Sequence, residues 1–444
     1  MLMSITSLLS QIKIGSIGPF SLFIFLYLST QVTVEAQSST ELEMLFKKHI
    51  PGVKVKQLDP LAPFQSIWEL KVPQTLDHNH PEKGSFYQKI YVHHAGISRP
   101  VVFVTEGYDC RPRVYEPTTL LDANQVTVEY RYFGDSKPEK VDWTLLNHDQ
   151  AMKDLHYING LLKKMYKKRW ISTGISKGGT TTALYKLTYP KDIKASVAYV
   201  APFPTAQEDH RTIDHYKKQV GTEECRKRIF EFQKSILQNR EELRPLIENL
   251  AHEEKVNFSI GVDKVIDFAS VEFPFSFWQW GFDCGELPLE PWTPKVIFDF
   301  IEEVVDFNFY DDPTCKSFEP AYYQFMTEFG YYGFDTTGLN DLLLYENELS
   351  NLAFCPKNAD LTYRGAYMKK MKDLAEKKGK NIIYIYGGRD TWTACGIFPK
   401  GKSYRFDQKF GGHRTRIKNL DTTDKLKIYS LLSAYTKTKI QIPE

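Results

Sequence analysis

Gly174-Ile175-Ser176-Lys177-Gly178 constrains this chain more than any other stretch, because a strand runs into it and a helix runs out of it. Lys168 to Thr173 reads as a short β run ending in small residues, and Gly179-Thr180-Thr181-Thr182-Ala183-Leu184-Tyr185 reads as the start of a helix packed close to that strand. A G-x-S-x-G sequence in this setting makes a sharp strand-to-helix turn that lifts the serine hydroxyl above a sheet. Its glycines leave out side chains that would strike neighbouring backbone. Ser176 is therefore a candidate nucleophile, and the backbone N–H of Lys177 a candidate oxyanion donor.

An acid and a histidine follow in the order that such a serine requires. In the α/β-hydrolase architecture the acid and the base come after later strands, in the chain order Ser, Asp or Glu, His. Asn381 to Tyr386 is an apolar run of strand length, and Gly387-Gly388-Arg389-Asp390 follows at once. Asp390 thus stands at the carboxyl end of a buried strand, where catalytic groups of open α/β sheets collect. Phe410-Gly411-Gly412-His413 comes next, a glycine-rich loop carrying one histidine. His413 would take the proton of Ser176, and Asp390 would fix the imidazole tautomer. Singly, such a Ser, Asp or His is most often a tight turn, a cap or a solvated side chain. The three falling in this order at strand ends is what carries the reading.

Between the two halves the alternation of strand and helix stops. Residues 203–344 read as mainly helical, with Ile229, Phe232, Ile236 and Leu243 at helical spacing, and Phe273-Pro274-Phe275-Ser276-Phe277-Trp278-Gln279-Trp280 too aromatic for an exposed loop. The expected organisation is a leader over 1–36, a first core half over 37–202, a helical cap over 203–344 and a second core half over 345–444. Thr105-Glu106-Gly107-Tyr108, after an early strand at Val101–Val104, is the loop expected to supply the second oxyanion donor through Tyr108. Gln125 to Tyr132 reads as a further strand.

Charge and targeting signals bound the partners. A net charge of +2 across 444 residues, a quarter of them charged, points to neither a nucleic-acid groove nor a polybasic membrane patch. Residues 14–34 carry no charge, Lys13 precedes them, and Val34-Glu35-Ala36 offers small residues for signal peptidase. Export with cleavage after Ala36 is the expectation, to a periplasmic or extracellular destination; an uncleaved anchor is the alternative. Six cysteines in an exported chain suggest up to three disulfides, with Cys110 and Cys395 near the proposed catalytic loops. None has the C-x-x-C spacing of a zinc or redox site, and the chemistry needs no metal or organic cofactor.

The residues also resemble a known family. Thr105-Glu106-Gly107-Tyr108, Glu129-Tyr130-Arg131-Tyr132-Phe133-Gly134-Asp135-Ser136, Gly174-Ile175-Ser176-Lys177-Gly178-Gly179, Tyr323 to Tyr332, Gly388-Arg389-Asp390-Thr391-Trp392 and Gly412-His413 look like the secreted bacterial prolyl tripeptidyl aminopeptidases. The likeness runs through nearly the whole chain after the leader, and its Ser-Lys-Gly-Gly elbow is its most specific element. It implies an α/β-hydrolase core with a helical cap, cleaving peptides after proline near a free amino terminus. Tyr130 departs from it, standing where a histidine is expected, which bears on the pocket rather than the triad.

On that resemblance, Glu106 and Glu328 are candidates to pair with a substrate ammonium, since burying that cation unpaired is costly. Aromatic side chains of the cap, above all Trp278 and Tyr331, are candidates to hold a proline ring, with Phe275, Phe277, Trp280 and Tyr332 beside them. A carboxylesterase or lipase would use the same triad, and a silent binding scaffold would keep the fold alone.

Overall fold

The computed structural model describes residues 40–442, so the expected leader lies outside the described residues. The chain divides into two units, 1–51 and 52–444, and the described part of the first is a helix over 40–49 with the residues that end it.

The second unit is built on one nine-stranded sheet. Its strands are β1 (Lys54–Leu58), β2 (Ser66–Thr75), β3 (Ser85–His94), β4 (Val101–Thr105), β5 (Asn124–Val128), β6 (Trp170–Ile175), β7 (Ser196–Tyr199), β8 (Lys380–Gly387) and β9 (Lys402–Gln408). They lie in the order β1-β2-β3-β5-β4-β6-β7-β8-β9. The first three pair antiparallel and hand over to β5, after which every neighbour is parallel. Composition follows this division. The central β4, Val-Val-Phe-Val-Thr, is buried throughout, as a parallel strand covered on both faces requires, whereas the outer part of β2 alternates buried and half-buried residues.

Helices cover both faces. Ile428 and Leu432 of α9 (Thr422–Thr436) pack with Val102, Val104, Ile171 and Val197 on one side. On the other, Phe103 meets Tyr185 of α2 (Lys177–Thr188), with ring centroids 5.7 Å apart. α1 (His148–Leu162) begins where the Asn147 side chain accepts the Gln150 N–H, and α8 (Ala366–Lys378) leads into β8. This is an α/β-hydrolase core with a mostly parallel sheet.

Everything between β7 and β8 contributes no strand to the sheet. It carries α3 (Glu223–Gln238), α4 (Arg240–Glu254), α5 (Val262–Trp280), α6 (Pro294–Val304) and α7 (Asp312–Gln324). The insert has its own aromatic core, in which Phe232, Phe273 and Phe300 lie within 6 Å of one another. The aromatic run is the second half of α5, buried from Val265 to Trp278. The stripe read through Leu243 belongs to two helices: Ile229, Phe232 and Ile236 face inward on α3, and Leu243 does so on α4.

Two further readings change. Cys225 and Cys284 form a disulfide within the insert, while Cys110, Cys315, Cys355 and Cys395 are free thiols, so no second or third bridge forms among them. The strand expected through Tyr132 ends at Val128, because Tyr132 (φ +73°) and Gly134 (φ +49°) turn the chain back. That turn folds around buried charge. Glu129 takes the Lys89 ammonium at 2.9 Å and the Ser136 hydroxyl at 2.7 Å. Arg131 grips Asp154 on α1 through two bonds of 2.7 and 2.8 Å and caps the Leu145 carbonyl at 2.7 Å. Arg131→Met would leave the buried Asp154 carboxylate with only the His78 ring, at 2.7 Å, as a side-chain partner, so unfolding in urea should register a loss of about 3–5 kcal/mol.

Candidate active site

The elbow is a backbone squeeze. Ser176 has φ +57° and ψ −126°, a conformation that side-chain-bearing residues rarely adopt, and it is held there by its N–H bond to the Tyr199 carbonyl at 2.9 Å. A Cβ on Gly174 would run into the Gly178 carbonyl, and one on Gly178 would come within 2.8 Å of the Thr105 carbonyl. Strand, helix and the loop after β4 share this space only because both positions are glycine.

Asp390 follows β8 on the same edge of the sheet, two strands from the β6 that carries Ser176. Its buried carboxylate accepts the Trp392 N–H at 3.1 Å through Oδ1 and meets His413 Nδ1 at 2.7 Å through Oδ2. An imidazole that donates Nδ1–H to a carboxylate keeps a lone pair on Nε2, the form a general base needs. The His413 loop lies close against both neighbours. A Cβ on Gly387 would strike the Gly411 and Gly412 carbonyls, and one on Gly412 would come within 2.6 Å of the Trp280 carbonyl carbon. The His413 N–H donates to the Gln279 carbonyl at 2.6 Å, and the Trp280 ring stands edge-on to the imidazole at 6.2 Å. The insert therefore supplies part of the histidine's mounting.

Lys177 does more than the sequence suggested. As the first residue of α2, its N–H has no acceptor within the helix. Its side chain is buried, and Nζ donates to the Gly107 carbonyl at 2.6 Å while lying 3.5 Å from the centre of the Tyr130 ring. Phe133 and Tyr108 complete an aromatic box at 5.2 and 5.5 Å. Burial holds this ammonium well below the usual lysine range, against the pull of Glu328. A lysine at a helix N-terminus opposes the helix dipole, and that misfit was the available signal that its side chain has another task. The Gly107 backbone is jammed against the elbow, since a Cβ there would lie 2.7 Å from Gly178 N.

The two candidate ammonium acceptors are both occupied within the fold. Glu106 accepts the Tyr115 hydroxyl and lies 3.5 Å from Arg113, and burial raises its carboxyl. Glu328, in a π-helical turn over Phe325–Phe329, accepts the His148 N–H at 2.8 Å. Burial pushes its carboxyl up to about 7.

Of the aromatic candidates, Tyr331 packs beside the turn after Asp390 and Trp278 does not. Trp392, in the turn just after Asp390, touches Tyr331 and Phe275 at 5.3 Å and Tyr332 at 5.6 Å. Tyr331 stacks on Phe325 at 4.2 Å, and Phe325 reaches Tyr108 of the oxyanion loop at 6.5 Å. Trp278 faces the other way on α5, packs on Phe277 and lines a cavity of about 210 Å³ with Tyr216, Ile229 and Pro274, away from the triad residues. Phe277 likewise sits in the insert core beside Phe273. Phe275 and Gln279, four residues apart, share one face and Phe277 lies opposite; Trp278, three residues from Phe275, is set apart by its contacts with Phe277 and Gly221 rather than by helical phase. Trp392 was not among the sequence candidates, although its place two residues after Asp390 puts it beside Phe275, Tyr331 and Tyr332.

Comparison with known proteins adds the following. The profile of the family described as PS-10 peptidase S37 matches residues 43–408. The prolyl tri/tetrapeptidyl aminopeptidase of Streptomyces mobaraensis is 30% identical over 434 residues, covering 95% of this chain and 89% of that protein. The serine protease vicPb of Bipolaris victoriae (strain FI3) is 28% identical over 182 residues, covering 35% of this chain and 34% of that one. Among solved structures, the proline iminopeptidase of Mycobacterium smegmatis aligns with a TM-score of 0.36 at 12% identity, over 79% of this chain and 96% of that chain.

The Glu328 carboxyl yields a stability prediction. Its folded-state value of about 7 lies above the ordinary 4.5, so its contribution is fully present below pH 4.5 and is lost as pH rises through 7. Glu328→Gln should therefore flatten the fall in urea midpoint between pH 5 and pH 8 relative to the parent chain.

Proposed function

The chain belongs to the PS-10 peptidase S37 family and is a serine peptidase; from that premise we propose that it releases short peptides from free amino termini by cleaving after proline, outside the cytoplasm. The observation that carries the mechanism is the buried Asp390–His413 bond of 2.7 Å, set on the same sheet edge as a serine held at positive φ.

In the proposed reaction Ser176 Oγ attacks the scissile carbonyl as His413 Nε2 takes its proton, and Asp390 stabilises the imidazolium. The oxyanion receives the N–H groups of Lys177 and Tyr108. In a trans peptide the C=O and the following N–H point in opposite directions, so the Lys177 side chain, by holding the Gly107 carbonyl, sets the direction of the Tyr108 N–H. His413 then protonates the leaving amine, and water releases the acyl group from Ser176. No step calls for a metal or an organic cofactor.

The relative's name supports proline before the cut, and so does the wall of Phe275, Tyr331, Tyr332 and Trp392 beside the Asp390 loop. A proline ring is rigid and apolar and has no N–H to satisfy, which suits aromatic faces. The insert would act as a cap that admits slender substrates. Export is supported by the uncharged segment at 14–34 and by the Cys225–Cys284 disulfide.

Peptide p-nitroanilides and p-nitrophenyl esters, assayed side by side, test the reading. Ala-Ala-Pro anilide should exceed Ala-Ala-Ala in kcat/KM by roughly 10–200-fold, and Tyr331→Ala or Trp392→Ala should erode that preference. Ester turnover with no anilide turnover would assign an esterase instead. Ser176→Ala, Asp390→Asn and His413→Ala should each lower kcat by about 10⁴-fold or more, and their double variants should lose little further. Lys177→Met should lower kcat by about 10²–10³-fold with KM little changed, the signature of a lost oxyanion donor, measured on the same anilide.

A further inference from the structure

Glu272 is a buried carboxylate with half its bonding unmet. Its side chain lies on α5, 6% exposed, and the Ser276 hydroxyl donates to Oε1 at 2.6 Å. Oε2 has no hydrogen-bond partner, and among the described residues no Lys, Arg or His forms an ion pair with Glu272. The hydroxyl of Tyr332 lies beside the carboxyl outside bonding geometry to Oε2, and Tyr310, Tyr322 and Tyr331 are its further neighbours. Buried polar atoms are nearly always satisfied, so an open carboxylate oxygen within a group of tyrosines calls for a missing donor.

Its position says what that donor is. Glu272, Phe275 and Gln279 fall three and seven residues apart, on one face of α5. The Phe275 carbonyl on that face accepts the Thr391 hydroxyl at 3.0 Å, the Phe275 ring packs on Tyr332 and Trp392, and the Gln279 carbonyl holds the His413 N–H. One helical face therefore passes from the catalytic histidine, along the aromatic wall, to the open carboxylate. Seven residues of helix rise about 10 Å, and three residues of extended peptide span about 10 Å.

We infer that Glu272 anchors the α-ammonium of the substrate, so that α5 acts as a ruler placing the third residue's carbonyl at Ser176. The inference rests on the aminopeptidase reading above and names the residue responsible for it. The ammonium brings both the donor and the positive charge that Oε2 lacks, and tyrosine faces favour a cation beside them. Burial pushes the Glu272 carboxyl up to about 7 against the downward pull of the Ser276 and Tyr332 hydroxyls, and an ammonium contact favours the ionised form. Glu106 and Glu328, by contrast, already accept bonds from Tyr115 and His148.

The test compares Ala-Ala-Pro p-nitroanilide with its N-acetyl form, using the full chain and its Glu272→Gln and Glu272→Asp variants. The parent chain should favour the free amine by roughly 100-fold in kcat/KM. Glu272→Gln should bring that ratio close to one while leaving the rate on the acetylated peptide and labelling by a fluorophosphonate probe unchanged; Glu272→Asp should give an intermediate ratio. Peptides with one residue fewer or more before the proline should be cleaved more slowly by the parent chain and not by Glu272→Gln. A variant that keeps the parental ratio, or that loses both rates together, overturns the role of Glu272. A parent chain that cleaves both forms equally overturns the ammonium anchor and leaves the peptidase standing, whereas one that cleaves neither removes the proposed function along with it.

Discussion

Three backbones meet at one point, and the site exists because nothing lies between them. Gly174 and Gly178 of the elbow and Gly107 of the loop after β4 approach so closely that a methyl group at any of them would collide with main chain. This contact presses the helix N-terminus, Ser176 and the loop after β4 into one volume. It also leaves the Lys177 side chain a single path, back beneath the loop to the Gly107 carbonyl and the Tyr130 ring. The Lys177 amine there lies in an aromatic box rather than in a hydrogen bond to a carboxylate, and it donates to the Gly107 carbonyl.

The core was legible in the sequence because its signals are local. A serine between glycines, an acid directly after an apolar run and a histidine on a glycine loop each announce themselves within a few residues, and β6 and β8 follow from the short β run at 168–173 and the apolar run at 381–386. Signals that depend on distant partners were not legible. β9 has the mixed sequence Lys-Ser-Tyr-Arg-Phe-Asp-Gln and is a strand only because β8 pairs with it. Glu129 to Tyr132 looked extended, yet buried ion pairs with Lys89 and Asp154 fold it into a turn.

Among the candidate site residues the same division holds. Helical phase separates Phe277 from Phe275, but the aromatic run alone does not say which face of α5 meets the sheet. That is settled by the Thr391 and His413 bonds to α5 carbonyls, contacts made across more than a hundred residues of chain. Glu106 and Glu328 were sensible carboxylates by position, and only their partners reveal that they are engaged elsewhere.

The mounting of His413 on the insert has a consequence for which parts of the chain the site needs. Its backbone is tied to the Gln279 carbonyl, its loop lies against Trp280 and Gly281, and its side chain is tied to Asp390 on the far half of the sheet. The His413 mounting thus joins segments more than a hundred residues apart and depends on both halves of the chain, whereas the elbow around Ser176 is local in sequence, so neither half alone brings Ser176, Asp390 and His413 together.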